Sequence, residues 1–176
     1  MQIDTIKSKA IFQGRAFNVR QDEIRLPNGR TTLLDIVDHK GAVTILPVDE
    51  NNHIWFIQQY RHAAGKIILE LPAGTLEEGE DPETCAFREI REEIGMSASK
   101  IEKIGEFYMA PGYSTEYLYA YLATDLKPEP LPGDEDELIK VEKIPTDKAY
   151  LLAKSGQIHD SKTLATLLLA LGRLIG

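Results

Sequence analysis

The sequence predicts a layered α/β (α+β) domain with a small β segment at its N-terminal side. Three observations predict it. Runs with strand patterning recur along the chain, three helix starts carry capping residues, and 176 residues suffice for one domain with a real core. The 43% hydrophobic and 27% charged residues match folded globular domains.

Taken in order, residues 11–26 contain alternating stretches (Phe17, Val19; Ile24, Leu26) and end at Pro27-Asn28-Gly29. A second β-like run, Thr31 to His39, follows. Asn-Gly between two such runs is a hairpin signal. Residues 1–40 thus form an N-terminal β segment, too short for an independent domain, and residues 41–176 form the main domain. Ala42–Val48 and His53–Tyr60 read as buried strands around the turn Asp49-Glu50-Asn51-Asn52. Ile67–Leu71 is a short strand. Asp81 caps a helix with Pro82 in its first turn and Gly95 at its end. Ile104–Met109, Tyr117–Ala123 and Leu138–Ile144 read as strands, and Leu126–Gly133 as a proline-punctuated loop. Thr146 caps a helix ending near Gly156. Asp160 or Ser161 caps the last helix, with Leu164, Leu167, Leu168, Leu171 and Leu174 on one face.

The net charge of −8 argues against nucleic acid and anionic membranes as partners. One cysteine, Cys85, excludes an internal disulfide and a cysteine-based zinc site. No run approaches the ~20 apolar residues of a membrane span, and the first residues lack the apolar core of a signal peptide. A cytoplasmic protein is the expectation. The acidity is concentrated. Residues 77–93 hold eight acids against Arg88 and Arg91, and residues 134–137 read Asp-Glu-Asp-Glu.

Glu89, Glu92 and Glu93 stand at i, i+3 and i+4, so they share one helix face beside Ala86, Phe87, Ile90 and Ile94. Like charges at these spacings cost about 0.2–0.5 kcal/mol per pair, and anions in a last turn oppose the helix dipole. Arg88 and Arg91 offset part of this. A divalent cation such as Mg²⁺ or Mn²⁺ would offset the rest. A solvated acidic face is the plain alternative.

The spacing adds to this. Gly74-x5-Glu80-x7-Arg88-Glu89-Ile90-x-Glu92-Glu93-x-Gly95-Met96 resembles the signature of the Nudix hydrolases at every fixed position. That resemblance implies an α/β/α sandwich with a mixed β-sheet, and attack of water on a diphosphate joined to another group. It implies Glu89 and Glu93 as principal Mg²⁺ or Mn²⁺ ligands, with Glu92 and the Ala73 carbonyl joining them. Arg88 would orient a glutamate, and Glu80 would pair with Arg88. Gly74 lets the backbone approach closely.

Further features resemble the ADP-ribose pyrophosphatase and nucleoside diphosphate sugar hydrolase branch. Gln58-Gln59-Tyr60-Arg61 precedes Glu70-Leu71-Pro72-Ala73-Gly74, Pro111 lies 16 residues after Gly95, and the acidic 134–137 cluster precedes a strand. The branch implies Arg61, Thr75, Pro111 and Glu116 at the substrate. It implies a catalytic base and a further metal contact from Glu135 and Glu137, with Glu137 placed at the metal and the base left open between the two. It also implies a homodimer exchanging its N-terminal β segments. Taken alone, Arg61 reads as a phosphate or ribose contact with a surface salt bridge as the alternative, Tyr60 as core or adenine-stacking, and 134–137 equally as a solvated loop. Tyr113 points instead toward dinucleoside polyphosphates. A non-catalytic sensor of ADP-ribose-type ligands is the other function class, disfavoured by the intact box.

Overall fold

The computed structural model describes residues 3–133 and 138–175. The chain divides into two compact units, Met1–Gly41 with Tyr108–Tyr117, and Ala42–Phe107 with Leu118–Gly176.

The first unit carries β1 (Asp4–Gln13), β2 (Asn18–Arg25) and β3 (Thr31–Asp38) in one antiparallel sheet of that order. The expected hairpin is β2–β3, pairing Arg25 with Thr31. Its turn closes with Gly29 donating to the Leu26 carbonyl at 2.9 Å, and Gly29 takes the left-handed φ of 82° that such turns require. β1 begins well before the run read from the sequence. All ten of its residues are exposed, so no buried face imprints an alternation on residues 4–10. The 108–117 segment ties to β3, where the Val37 amide donates to the Tyr113 carbonyl at 2.7 Å. Among the described residues of this unit Ile24 is the only buried hydrophobic side chain.

The second unit is a mixed α/β structure. Its four-stranded sheet runs β7 (Ala73–Thr75), β4 (Ala42–Pro47), β9 (Tyr117–Pro128), β8 (Met96–Tyr108). β4 pairs parallel with β9 and antiparallel with β7. A second sheet runs β10 (Ile139–Pro145), β5 (His53–Arg61), β6 (Lys66–Glu70). Among the described residues three helices complete it: α1 (Pro82–Ile94), α2 (Thr146–Lys154) and α3 (Ser161–Leu174). Alternation along the central strands sends side chains to two cores. Val43, Ile45 and Ile57 meet Cys85, Ala86 and Ile90 of α1. Leu46, Ile54 and Phe56 meet Ala149 of α2 and Leu167 and Ala170 of α3. Helices therefore cover both faces, which is the predicted sandwich.

Several expectations need correction. β9 runs on through Leu126 to Pro128, so the proline-punctuated loop is shorter than read. Thr146 does not cap α2. It is the first helical residue, and its hydroxyl donates to the Asn52 carbonyl at 2.8 Å, joining α2 to the β4–β5 turn. On α3 only Leu167 of the leucine stripe is fully buried, and Leu174 packs partly on the core. Thr163, Thr166, Leu167 and Ala170 are buried, whereas Leu168 is 71% exposed. The Thr44 and Thr166 hydroxyls meet across the α3–β4 contact at 3.4 Å, so small residues set a close approach there. Tyr60 is exposed rather than core.

Candidate active site

Helix α1 forms where local chemistry dictates. The Asp81 carboxylate accepts from the Glu83 and Thr84 amides at 3.0 and 3.3 Å, Pro82 opens the first turn, and Gly95 ends the helix at φ 69°. Such a cap contributes about 1 kcal/mol. Docking of Cys85, Ala86, Ile90 and Ile94 into the core then fixes which face the glutamates take.

Glu89 and Glu93 are buried, each at 9% exposure. The Glu93 carboxylate accepts from the Ala73 amide at 2.9 Å, pinning the helix to β7. A Cβ on Gly74 would lie 1.8 Å from the Glu89 carboxylate. Only a glycine leaves room for that carboxylate against the backbone. Arg88 sits among the acids. Its Nη1 donates to Glu89 at 2.6 Å and to Glu92 at 3.0 Å, while Nε and Nη2 form a fork on Glu80 at 3.0 Å each. Arg91 turns away, to the Glu129 carbonyl at 3.1 Å and carboxylate at 3.0 Å. One arginine, not two, therefore offsets the glutamate face. Among the described residues, no three His, Cys, Asp or Glu side chains stand together as a ready metal cluster. The donor set still fits a hard divalent ion, because two buried carboxylates flank a backbone that glycine lets approach.

The Arg88 fork holds the Glu80 carboxyl at about 2, down from an ordinary 4.5 and against opposing burial. A carboxyl depressed on folding stabilises the fold above its unfolded value, and that stabilisation is lost as pH falls through the folded value. Parent protein is therefore expected to lose stability between pH 4.5 and about 2 more steeply than Glu80→Gln. Chemical denaturation across that range measures it. Parallel pH profiles for the two proteins would contradict it.

Cys85, in the same helix, is buried, and its burial pushes the thiol well above its ordinary value. Its thiol donates toward the Thr75 carbonyl at 3.8 Å, the setting of a buried structural cysteine. Thr75 itself is exposed, at the end of β7. Arg61 ends β5, and its Nε and Nη2 grip the Glu70 carboxylate at 2.8 and 2.7 Å. Pro111 and Glu116 belong to the first unit. Pro111 lies in a turn where the Ser114 amide donates to the Ala110 carbonyl at 2.9 Å, and the Glu116 amide donates to the Ser114 hydroxyl at 3.1 Å. Glu135 and Glu137 lie outside the described residues. The chain leading to them is held on α1. The Glu129 amide donates to the Gly95 carbonyl at 3.0 Å, the Leu131 amide to the Arg91 carbonyl at 3.1 Å, and a Cβ on Gly133 would stand 3.3 Å from the Glu92 carbonyl. The ion partners that sequence reasoning missed are Lys162 and Asp160 at the start of α3.

A sandwich with a glutamate helix pinned to a glycine-bearing strand defines a Nudix-type protein, and comparison with known sequences agrees. The NUDIX domain model matches residues 38–167, and a nucleoside diphosphate sugar hydrolase N-terminal domain model matches residues 3–33. The chain belongs to the Nudix family and is a Nudix pyrophosphatase by class. It is 40% identical over 161 residues to a methanol dehydrogenase activator of Bacillus methanolicus, and 38% identical over 161 residues to an ADP-ribose pyrophosphatase of Bacillus subtilis. Each alignment covers 90% of this chain and 87% of the relative. A GDP-mannose pyrophosphatase of Yersinia pestis is 35% identical over 137 residues, which is 72% of this chain and 68% of that one. A solved structure titled as an ADP compounds hydrolase superposes with a TM-score of 0.88 over 99% of this chain and 95% of its own, at 23% identity, and shows the same fold. Nudix hydrolases as a class use a divalent metal. No helix among the described residues is long and apolar enough to cross a membrane.

Proposed function

We propose that the chain hydrolyses the diphosphate of ADP-ribose, or of related nucleoside diphosphate sugars, with Mg²⁺ (or Mn²⁺) as cofactor. The observation that carries this reading is the contact of the Glu89 carboxylate on Gly74 beside the Glu93–Ala73 hydrogen bond. Glu89 and Glu93 would hold the ion, with Glu92 and the Ala73 carbonyl completing the set. Glu137, reached four residues beyond Gly133, would add a contact. A divalent ion supplies charge neutralisation to a diphosphate and acidifies water. Glu135 or Glu137 takes the proton of the attacking water. A new P–O bond forms at one phosphorus as the bridging P–O bond breaks, and ADP-ribose yields AMP and ribose 5-phosphate. Arg61, Thr75, Pro111 and Glu116 would bind the substrate.

A phosphate-release panel with coupled phosphatase tests the substrate class. ADP-ribose is expected to lead GDP-mannose and dinucleoside polyphosphates, and a dinucleoside polyphosphate in first place would overturn the branch assignment.

The same reading includes a homodimer in the cytoplasm. Ile11, Phe12 and Leu33 are exposed on a three-stranded sheet, with Phe17 exposed beside it, and among the described residues this unit buries one hydrophobic side chain. A sheet this small needs a cover for its apolar face, and a second copy of the chain supplies one. Sedimentation equilibrium should give twice the 19.7 kDa chain mass, and Leu33→Glu should shift it toward one. A parent protein at a single chain mass would contradict the dimer.

A further inference from the structure

Glu70 lies at the end of β6, with its side chain 2% exposed. A buried carboxylate is costly unless cations hold it, and two do. Arg61 grips it through a fork at 2.8 and 2.7 Å, and the Lys162 ammonium of α3 pairs with the Oε2 that also accepts from Arg61 Nη2. Lys162 also reaches the Asp160 carboxylate at 3.1 Å, and Asp160 caps α3 by accepting from the Thr163 amide at 2.9 Å. The Leu71 amide donates to the Thr163 hydroxyl at 2.8 Å, so the first turn of α3 is stitched to the strand end at Glu70 and at the residue after it. Burial pushes the Glu70 carboxyl up, but the Arg61 hydrogen bonds and the Lys162 charge outweigh it and hold the group below its ordinary value.

The relay has one exposed end. Lys162 is 13% exposed, whereas the Arg61 side chain is 38% exposed. Two carboxylates, Glu70 and Asp160, face the two cations, and the Arg61 guanidinium is the more open of the pair. A guanidinium fixed by a two-point fork gives up little freedom when it meets an anion. The Glu70 strand end leads directly into the glycine-bearing strand of the glutamate site. Glu70 is three residues before Ala73, so their backbones stand no more than about 11 Å apart, and Ala73 is bonded to Glu93.

We infer that Glu70, backed by Lys162, is a positioning residue that aims the Arg61 guanidinium at the diphosphate of the substrate. This rests on the hydrolase reading above and on the part it gives Arg61. A plain structural joint between β6 and α3 would use the same ion pairs but would leave substrate affinity unchanged once the protein is folded.

The test compares Arg61→Ala, Glu70→Gln, Glu70→Asp and the double variant Arg61→Ala/Glu70→Gln with the parent. It reads kcat and KM for ADP-ribose with Mg²⁺, Kd for ADP-ribose by calorimetry in EDTA, and Tm. Arg61→Ala is expected to raise KM and Kd roughly tenfold. Glu70→Gln should raise both several-fold with kcat little changed, and Glu70→Asp, which keeps the charge, should fall between it and the parent. The double variant should match Arg61→Ala, because Glu70 acts only through that guanidinium. If Glu70→Gln does not fold, Glu70→Asp and the parent carry the comparison. Unchanged KM and Kd in both Glu70 variants, or additive effects in the double variant, would overturn the positioning role while leaving the hydrolase reading intact. Unchanged values in Arg61→Ala would remove Arg61 from the substrate and the inference with it. Absence of hydrolysis by the parent would instead strike the proposed function, and the calorimetric Kd values would still decide the inference.

Discussion

Glu93→Gln is expected to lower ADP-ribose hydrolysis by at least about 10²-fold while leaving Tm and secondary structure near those of the parent. The amide oxygen of glutamine can still accept from the Ala73 amide, so the 2.9 Å link between α1 and β7 survives. What disappears is a negative charge. A carboxylate at this buried position would hold a cation, and a neutral amide holds it far more weakly. Steady-state kinetics over a Mg²⁺ titration separates the effects. Loss of turnover with an unchanged melting curve supports the ligand role. Near-parental turnover would remove Glu93 from the metal site.

The second large effect is expected at Gly74. Alanine there would put a Cβ 1.8 Å from the Glu89 carboxylate. Something must move, and the Glu89 side chain is more mobile than the β7 backbone, which pairs with Val43 of β4. Gly74→Ala is therefore expected to displace that carboxylate, with a loss of activity comparable to Glu93→Gln and only a modest fall in Tm. Glu89 also accepts from Arg88 at 2.6 Å, so the displacement should disturb the arginine network. Gly74→Ala with full activity would mean that Glu89 is not needed where it stands.

The box helix was legible because its signals are local. Asp81, Pro82 and Gly95 specify its ends, and three glutamates at helical spacing specify its polar face. The same signals could not show that Arg91 turns to Glu129 and leaves Arg88 alone among the acids, because Glu129 lies 38 residues away. The buried face of α3 was not legible for a related reason. Leucines outnumber threonines there, but Thr44 of β4 meets Thr166 at close range and the Leu71 amide donates to Thr163, so of the leucine stripe only Leu167 is fully buried. β1 escaped notice because its residues are exposed throughout and carry no alternation. Glu70 stood in a motif that was read, but its second cation, Lys162, comes from 92 residues further on, a separation no local pattern encodes.

The most direct test of the central claim is product analysis of ADP-ribose incubated with the parent protein, with Mg²⁺ and with EDTA. Equal amounts of AMP and ribose 5-phosphate, formed with Mg²⁺ and absent with EDTA, are predicted. Thermal stabilisation by ADP-ribose with no products under either condition would contradict it and make the protein a binder rather than a hydrolase.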